Sequence, residues 1–188
     1  MPAPVREVTA LQNWWLSLPE AQQLMVGHRQ LRLATAADLP ALERLERYCF
    51  SPWLAFGHVR WQQLLQRSQT QVWLLLQGDQ VLAYLCLVPH LGWRSLVVRA
   101  LAVHWQLRGQ GIASQLMRLV EPRARQLGLH TLRLEVACDN ESALRLYERY
   151  GFVQQRVLPH YYGLDRPGFL LLCRLAPLPS ECSGAIPT

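Results

Sequence analysis

Leu101-Ala102-Val103-His104-Trp105-Gln106-Leu107-Arg108-Gly109-Gln110-Gly111-Ile112-Ala113 joins an apolar, β-prone run to the start of a helical pattern, with two glycines in the loop between. Glycines at 109 and 111 let the main chain approach a ligand with no Cβ in the way. The first N–H groups of the following helix have no internal partner and sit at the positive end of its dipole. Loop and helix start together predict an anion site suited to a phosphate or pyrophosphate. The spacing excludes two familiar phosphate loops. It lacks the third glycine of the dinucleotide fingerprint and the Gly-Lys-Ser/Thr of the nucleoside-triphosphate loop. A Gly-x-Gly ahead of a helix also occurs as a plain turn, so the loop takes its meaning from its neighbours.

The neighbour that matters lies about thirty residues on: Leu134-Glu135-Val136-Ala137-Cys138-Asp139-Asn140-Glu141-Ser142-Ala143-Leu144-Arg145-Leu146-Tyr147-Glu148-Arg149-Tyr150-Gly151-Phe152. Residues 131–137 alternate as a half-buried strand does, with Leu132, Leu134 and Val136 on one face and Arg133 and Glu135 on the other. Asn140 is placed to cap a helix running to Tyr150, and Gly151-Phe152 turns that helix into a strand.

Gln106-x-x-Gly109-x-Gly111 followed by this block resembles the acyl-CoA loop and second half of the GNAT superfamily of N-acyltransferases. It is most similar to the branch that acetylates protein N-termini, which includes the ribosomal-protein-alanine acetyltransferases. The likeness covers roughly residues 29–175. It implies an α/β fold with a mixed, largely antiparallel sheet of about six to seven strands and helices on both faces. It also implies acetyl-CoA as cosubstrate, no metal, and an amine acceptor, above all a protein or peptide N-terminal α-amine. A small amine (polyamine, amino acid or antibiotic) and a non-catalytic CoA-fold binding module are the alternatives.

Carried over position by position, the resemblance implies Glu135 as general base and Tyr147 as general acid toward the departing thiolate. The main chain of Leu107, Arg108, Gly109, Gln110, Gly111, Ile112 and Ala113 would hold the pyrophosphate, with Arg108 adding charge. Leu101, Ala102 and Val103 would run beside the pantetheine arm, and Asn140 would touch the cofactor as well as cap its helix. Phe50, Trp53, Tyr161 and Tyr162 would bind the acceptor. Each has a plainer reading: Glu135 paired with Arg133 or another arginine, Tyr147 packed on its helix stripe, the aromatics packed in the core. One departure stands out. Val103 is followed only by His104 and Trp105 before Gln106, about two residues fewer than in the family. The register of strand 96–103 against the cofactor is therefore open by two positions.

Composition agrees with one globular domain. The 188 residues are 51% hydrophobic and 17% charged, which excludes a disordered chain. The longest apolar runs, 72–76 and 81–88, are too short to cross a bilayer. No basic segment followed by a long apolar stretch opens the chain, so a cytoplasmic protein without membrane attachment is expected. Five scattered cysteines with no Cys-x-x-Cys pair argue against a disulfide framework or a zinc site. The net charge of +6 comes entirely from arginine, because the chain has no lysine. Those arginines are dispersed, which argues against a nucleic-acid binder and suits steering of a polyanionic cofactor.

Three segments are read from the pattern: residues 1–28 as a helical extension, 29–176 as the acetyltransferase domain, and 177–188 as a flexible tail. In the extension, Leu11, Trp14, Trp15 and Leu18 form an apolar helical stripe that packs on the domain, covers the substrate or makes a homodimer contact. Within the domain, helix 39–48 is expected to bury Leu39, Leu42, Leu45 and Tyr48. A second helix spans 58–67, Gly78-Asp79 closes a hairpin, and one helix runs from Ile112 to Leu127 with Gly128 as its cap.

Overall fold

The computed structural model describes residues 24–26 and 29–176. Strands β1 (Leu24–Val26), β2 (Arg29–Leu33), β3 (Gln71–Gln77), β4 (Gln80–His90), β5 (Ser95–Val103), β6 (Thr131–Ala137), β7 (Val153–Leu158) and β8 (Gly168–Arg174) form one sheet. Their spatial order is β1-β2-β3-β4-β5-β6-β8-β7. Every pairing is antiparallel except β5 with β6. The sheet thus exceeds the expected six to seven strands. The addition is β1, which pairs with β2 inside the segment read as a helical extension. The tryptophan stripe at 11–18, with its lid or dimer reading, and the tail at 177–188 lie outside the described residues.

Helices cover both faces. On one side α3 (Ile112–Met117), α4 (Val120–Gln126) and α5 (Glu141–Arg149) close over Leu85, Leu96, Val98, Leu132 and Leu134. On the other, α1 (Leu39–Cys49) and α2 (His58–Gln66) close over Leu74, Tyr84 and Cys86 with Trp61 at the centre. Each fully buried leucine adds about 1.5–3 kcal/mol, so the two cores hold the sheet between them. Among the described residues no helix is long and apolar enough to cross a membrane.

Two expectations are corrected here. Tyr48 is not on the buried side of α1: it is 62% exposed, while Glu46 is 2% exposed. The buried stripe runs Leu42, Leu45, Glu46, and Tyr48 falls off that face. The single helix expected from Ile112 to Leu127 is two. Pro122, near the start of α4, has no N–H to give to the carbonyl four residues back, and its ring crowds that carbonyl. The chain bridges the break with a tighter turn, Leu119 N–H donating to Leu116 O at 3.0 Å. Gly128 ends α4 as expected, at φ +64°, with Leu129 N–H reaching Ala124 O at 2.8 Å.

The feature that positions the site is a bulge in β5. Cys86 pairs with Ala100 and Leu87 with Val98, leaving Arg99 as an extra residue. Before the bulge Leu96 and Val98 face the α3 side; after it Leu101 and Val103 do, while Ala100 and Ala102 face α1 and α2. One inserted residue has inverted the alternation and adds bend and twist to the strand.

Candidate active site

The bend coincides with a parting of strands. β5 and β6 pair only over Ser95–Val97 with Thr131–Arg133. Beyond that point β5 continues on β4 as far as Val103, and β6 continues on β8 as far as Ala137. Each therefore turns an unpaired backbone edge toward the gap. Backbone N–H and C=O groups seek partners, and an extended chain laid in the gap pairs with them as an added strand does.

The glycine loop closes one end of that gap. Trp105–Leu107 form a single 3-10 turn, which is how the shortened connection is spanned. His104 N–H still bonds Leu82 O at 2.8 Å, so the ladder with β4 runs to the edge of the turn. Gly109 and Gly111 take φ +78° and +76°, values an L side chain rarely adopts. The first helical hydrogen bond of α3 is donated by Gln115 N–H to Gly111 O. The amides of Ile112, Ala113 and Ser114 ahead of it have no carbonyl one turn back. This edge and these amides suit the amide-bearing arm and diphosphate of a CoA-type ligand. Two candidate contacts are already in use. Arg108 folds back so that its Nε donates to Val103 O at 3.3 Å, and the Cys49 thiol donates to the same carbonyl at 3.5 Å. Asn140 caps α5, its Oδ1 accepting from Ala143 N–H at 3.2 Å.

Glu135 and Tyr147 lie on opposite faces of the sheet. Tyr147 is buried among the α3–α5 core against Phe152, and burial pushes its phenol up to about 12. Glu135 faces the α1–α2 side, as the alternation predicted. Arg133 donates to its Oε1 from Nε at 3.1 Å and Nη2 at 2.9 Å, and Arg99 Nη1 stands 3.8 Å from Oε2. The pairing with Arg133 that the sequence offered as the plainer reading is present. Oε2 keeps room for a further donor. Tyr162 senses both groups. Burial first, then Tyr161, Glu135 and Tyr147, raise its phenol far above the usual value, with Arg99 acting the other way.

Tyr162 also lines a cleft of about 570 Å³ formed by Trp53 and Leu54 on one side and Tyr161 to Leu164 with Arg166 on the other. Trp53 is 75% exposed and Tyr161 meets Tyr162 edge-on at 5.0 Å. Three of the four proposed acceptor residues thus come together. Phe50 does not join them; it packs against the core beneath α1 and α2. The residue that sequence reading missed is Glu46. Its buried carboxylate accepts from the Phe56 N–H and the Tyr84 hydroxyl, fastening the α1–α2 loop that carries Trp53. Burial raises its pKa, against those hydrogen bonds. A carboxylate on an amphipathic helix reads as exposed, so no local signal marked it. Cys138 has its thiol pushed up by desolvation and by Asp139, which disfavours the thiolate a nucleophile needs.

With this geometry in hand, the likeness to known proteins is specific. The chain belongs to the Acetyltransferase (GNAT) family, whose model matches residues 39–152. It is similar to N-alpha-acetyltransferase 30 of Schizosaccharomyces pombe, 37% identical over 76 residues, covering 39% of this chain and 51% of that protein. It is also similar to N-alpha-acetyltransferase MAK3 of Arabidopsis thaliana, 37% identical over 79 residues, 39% of this chain and 42% of that one. The chain spans about half the length of these curated relatives. In fold it resembles the ribosomal-protein-S18-alanine N-acetyltransferase of Escherichia coli, with TM-score 0.73 and 19% identity over 84% of this chain and 99% of that one. The Ard1 structure from Thermoplasma volcanium gives TM-score 0.71 at 20% identity over 80% and 100%.

Proposed function

We propose that this acetyltransferase uses acetyl-CoA to acetylate the α-amine of a peptide or protein N-terminus. One observation carries the reading: Tyr162 lines the aromatic cleft while its ring rests on Gly168 beside the carbonyl of Val136, the residue next to Glu135 on β6, so an amine held in the cleft lies toward the parted strands. Among the described residues no carboxylate lines that cleft, which weighs against a polycationic amine as acceptor. The relatives named N-alpha-acetyltransferases support the choice of an α-amine.

The chemistry divides across the sheet. An α-amine with pKa near 8 is only about a tenth neutral at pH 7, so its proton must leave before attack. Glu135, on the acceptor face, takes that proton at Oε2 directly or through one water. The amides at 107–113 hold the diphosphate, and the Leu101–Val103 edge aligns the arm, which fixes the thioester in the gap. The amine nitrogen attacks the thioester carbon, the C–N bond forms and the C–S bond breaks. Tyr147, from the helical face, gives its proton to the leaving thiolate, and the second proton that the nitrogen loses as the amide forms leaves through solvent and restores the Tyr147 phenol. Holding the two reactants at attack distance supplies much of the acceleration. The test in cells is mass spectrometry of protein N-termini with and without this gene product. A set of termini that loses acetylation in its absence supports the proposal, and an unchanged set opposes it.

A further inference from the structure

The two arginines beside Glu135 are not equivalent. Arg133 is committed, with both Nε and Nη2 on Oε1 and its guanidinium over the Trp93 ring at 4.9 Å. Arg99 is set between β5 and the α1–α2 loop by the bulge that creates its extra position. Its nearest carboxylate oxygen is 3.8 Å away, beyond hydrogen-bond reach, and its guanidinium lies 5.9 Å from the Phe56 ring centre. Among the described residues it makes no hydrogen bond, and its side chain is 30% exposed. A guanidinium is a fork of fixed donors matched to a carboxylate, and this one has donors to spare.

The local charge points the same way. Two guanidiniums face one carboxylate at Glu135, while Arg166, the only charge lining the aromatic cleft among the described residues, is already answered by Asp139 at 3.2 Å. The nearby carboxyl of Glu46 is turned inward onto Tyr84. Positive charge therefore exceeds negative where an ammonium must arrive, and Arg60, over the same Phe56 ring at 4.6 Å, adds to the excess. An acceptor that brings its own anion removes that repulsion.

Resting on the acetyl acceptor site assigned above, we propose that Arg99 selects acceptors carrying a carboxylate next to the reacting amine. Two sources share this chemistry: an acidic side chain at the start of a peptide, and the α-carboxylate of a free amino acid. The acceptor's amine sits toward Glu135 Oε2 while its carboxylate takes the fork of Arg99. A hydrogen-bonded ion pair of this kind corresponds to a preference of about 10-fold or more in kcat/KM.

The test is steady-state thiol release from acetyl-CoA with the full chain. Peptides differ only in Glu, Gln or Arg at the first residue, and free glutamate and glycinamide form a second arm. The expected result is an order Glu over Gln over Arg in the wild type, with the Glu-to-Gln ratio falling to about one in Arg99→Gln and largely kept in Arg99→Lys. If free glutamate alone is used, and not glycinamide or any peptide, the carboxylate selection stands and the peptide reading falls. If peptides are used with equal efficiency whatever the first residue, the peptide reading stands and Arg99 selection is refuted. A ratio that survives Arg99→Gln refutes it also. Should that variant not fold, inhibition of the wild type decides. Acetylated Glu peptide must compete at least about 10-fold better than its Gln counterpart, and equal inhibition overturns the proposal.

Discussion

The ring of Tyr162 rests on Gly168: a Cβ on that glycine would stand 2.9 Å from Cε2 of the tyrosine and 3.2 Å from the Val136 carbonyl oxygen. The first residue of β8 thus sets where the Tyr162 ring, proposed above to meet the acceptor, can lie. Gly168→Ala forces either the ring or the strand to move, at a cost of about 1–3 kcal/mol. The expected outcome is a lower melting temperature together with a rise in KM for the acceptor that exceeds any rise for acetyl-CoA. Thermal denaturation and the two KM values check it.

Gly111 makes a different demand. A Cβ there meets nothing within 4 Å, so space inside the protein is not the constraint. Its φ of +76° costs an L residue roughly 1–2 kcal/mol, and the Cβ enters the volume that the proposed function assigns to the diphosphate. Gly111→Ala is expected to weaken CoA binding about tenfold or more, with only a modest loss of stability. Titration calorimetry with CoA measures the first effect and chemical denaturation the second.

Tyr147→Phe is expected to lower kcat by about 10²–10⁴-fold while leaving the KM for acetyl-CoA close to wild type. Burial holds the phenol at about 12, so it stays protonated through the neutral range. The pH–rate profile of the wild type should therefore show no alkaline fall from this group below about pH 11. An unchanged kcat in the variant would remove its assigned role.

The parts legible in sequence were those with local periodicity. Strict alternation in 131–137 separated Leu132, Leu134 and Val136 from Arg133 and Glu135, and the structure keeps that division. The glycine loop and the Asn140 cap were legible because each needs a particular residue at a particular φ or offset. What failed were non-local effects. The β5 alternation inverts at Arg99 because a bulge forms against β4, which nothing in 96–103 announces. The break in the helix from Ile112 to Leu127 is the exception: Pro122 is a local signal, and the apolar stripe continuing across it masked the break. Phe50 and Trp53 look alike in the α1–α2 connection, yet Trp53 lines the cleft while Phe50 packs on the core, a division set by tertiary packing.

Asp38 gives a pH signature at the other end of the sheet. Its carboxylate accepts from Arg32 Nη1 and Nη2, both at 2.7 Å, and from Thr35 N–H at 2.7 Å. The Arg32 hydrogen bonds, against desolvation, hold its pKa below the ordinary carboxylate value. A carboxylate depressed on folding stabilises the protein above its unfolded pKa, and that contribution is lost as pH falls through the folded value. Asp38→Asn should cost about 1–3 kcal/mol at pH 7, and the gap between variant and wild type should narrow as pH drops below about 4. Urea denaturation across that range measures it.

The most direct test of the central claim is tandem mass spectrometry of peptides incubated with the full chain and acetyl-CoA, each peptide carrying a free α-amine and an internal lysine. The account predicts acetyl on the N-terminal nitrogen alone, matched mole for mole by released CoA thiol. Acetyl on the lysine side chain, or thiol release no faster with peptide than without it, would contradict it.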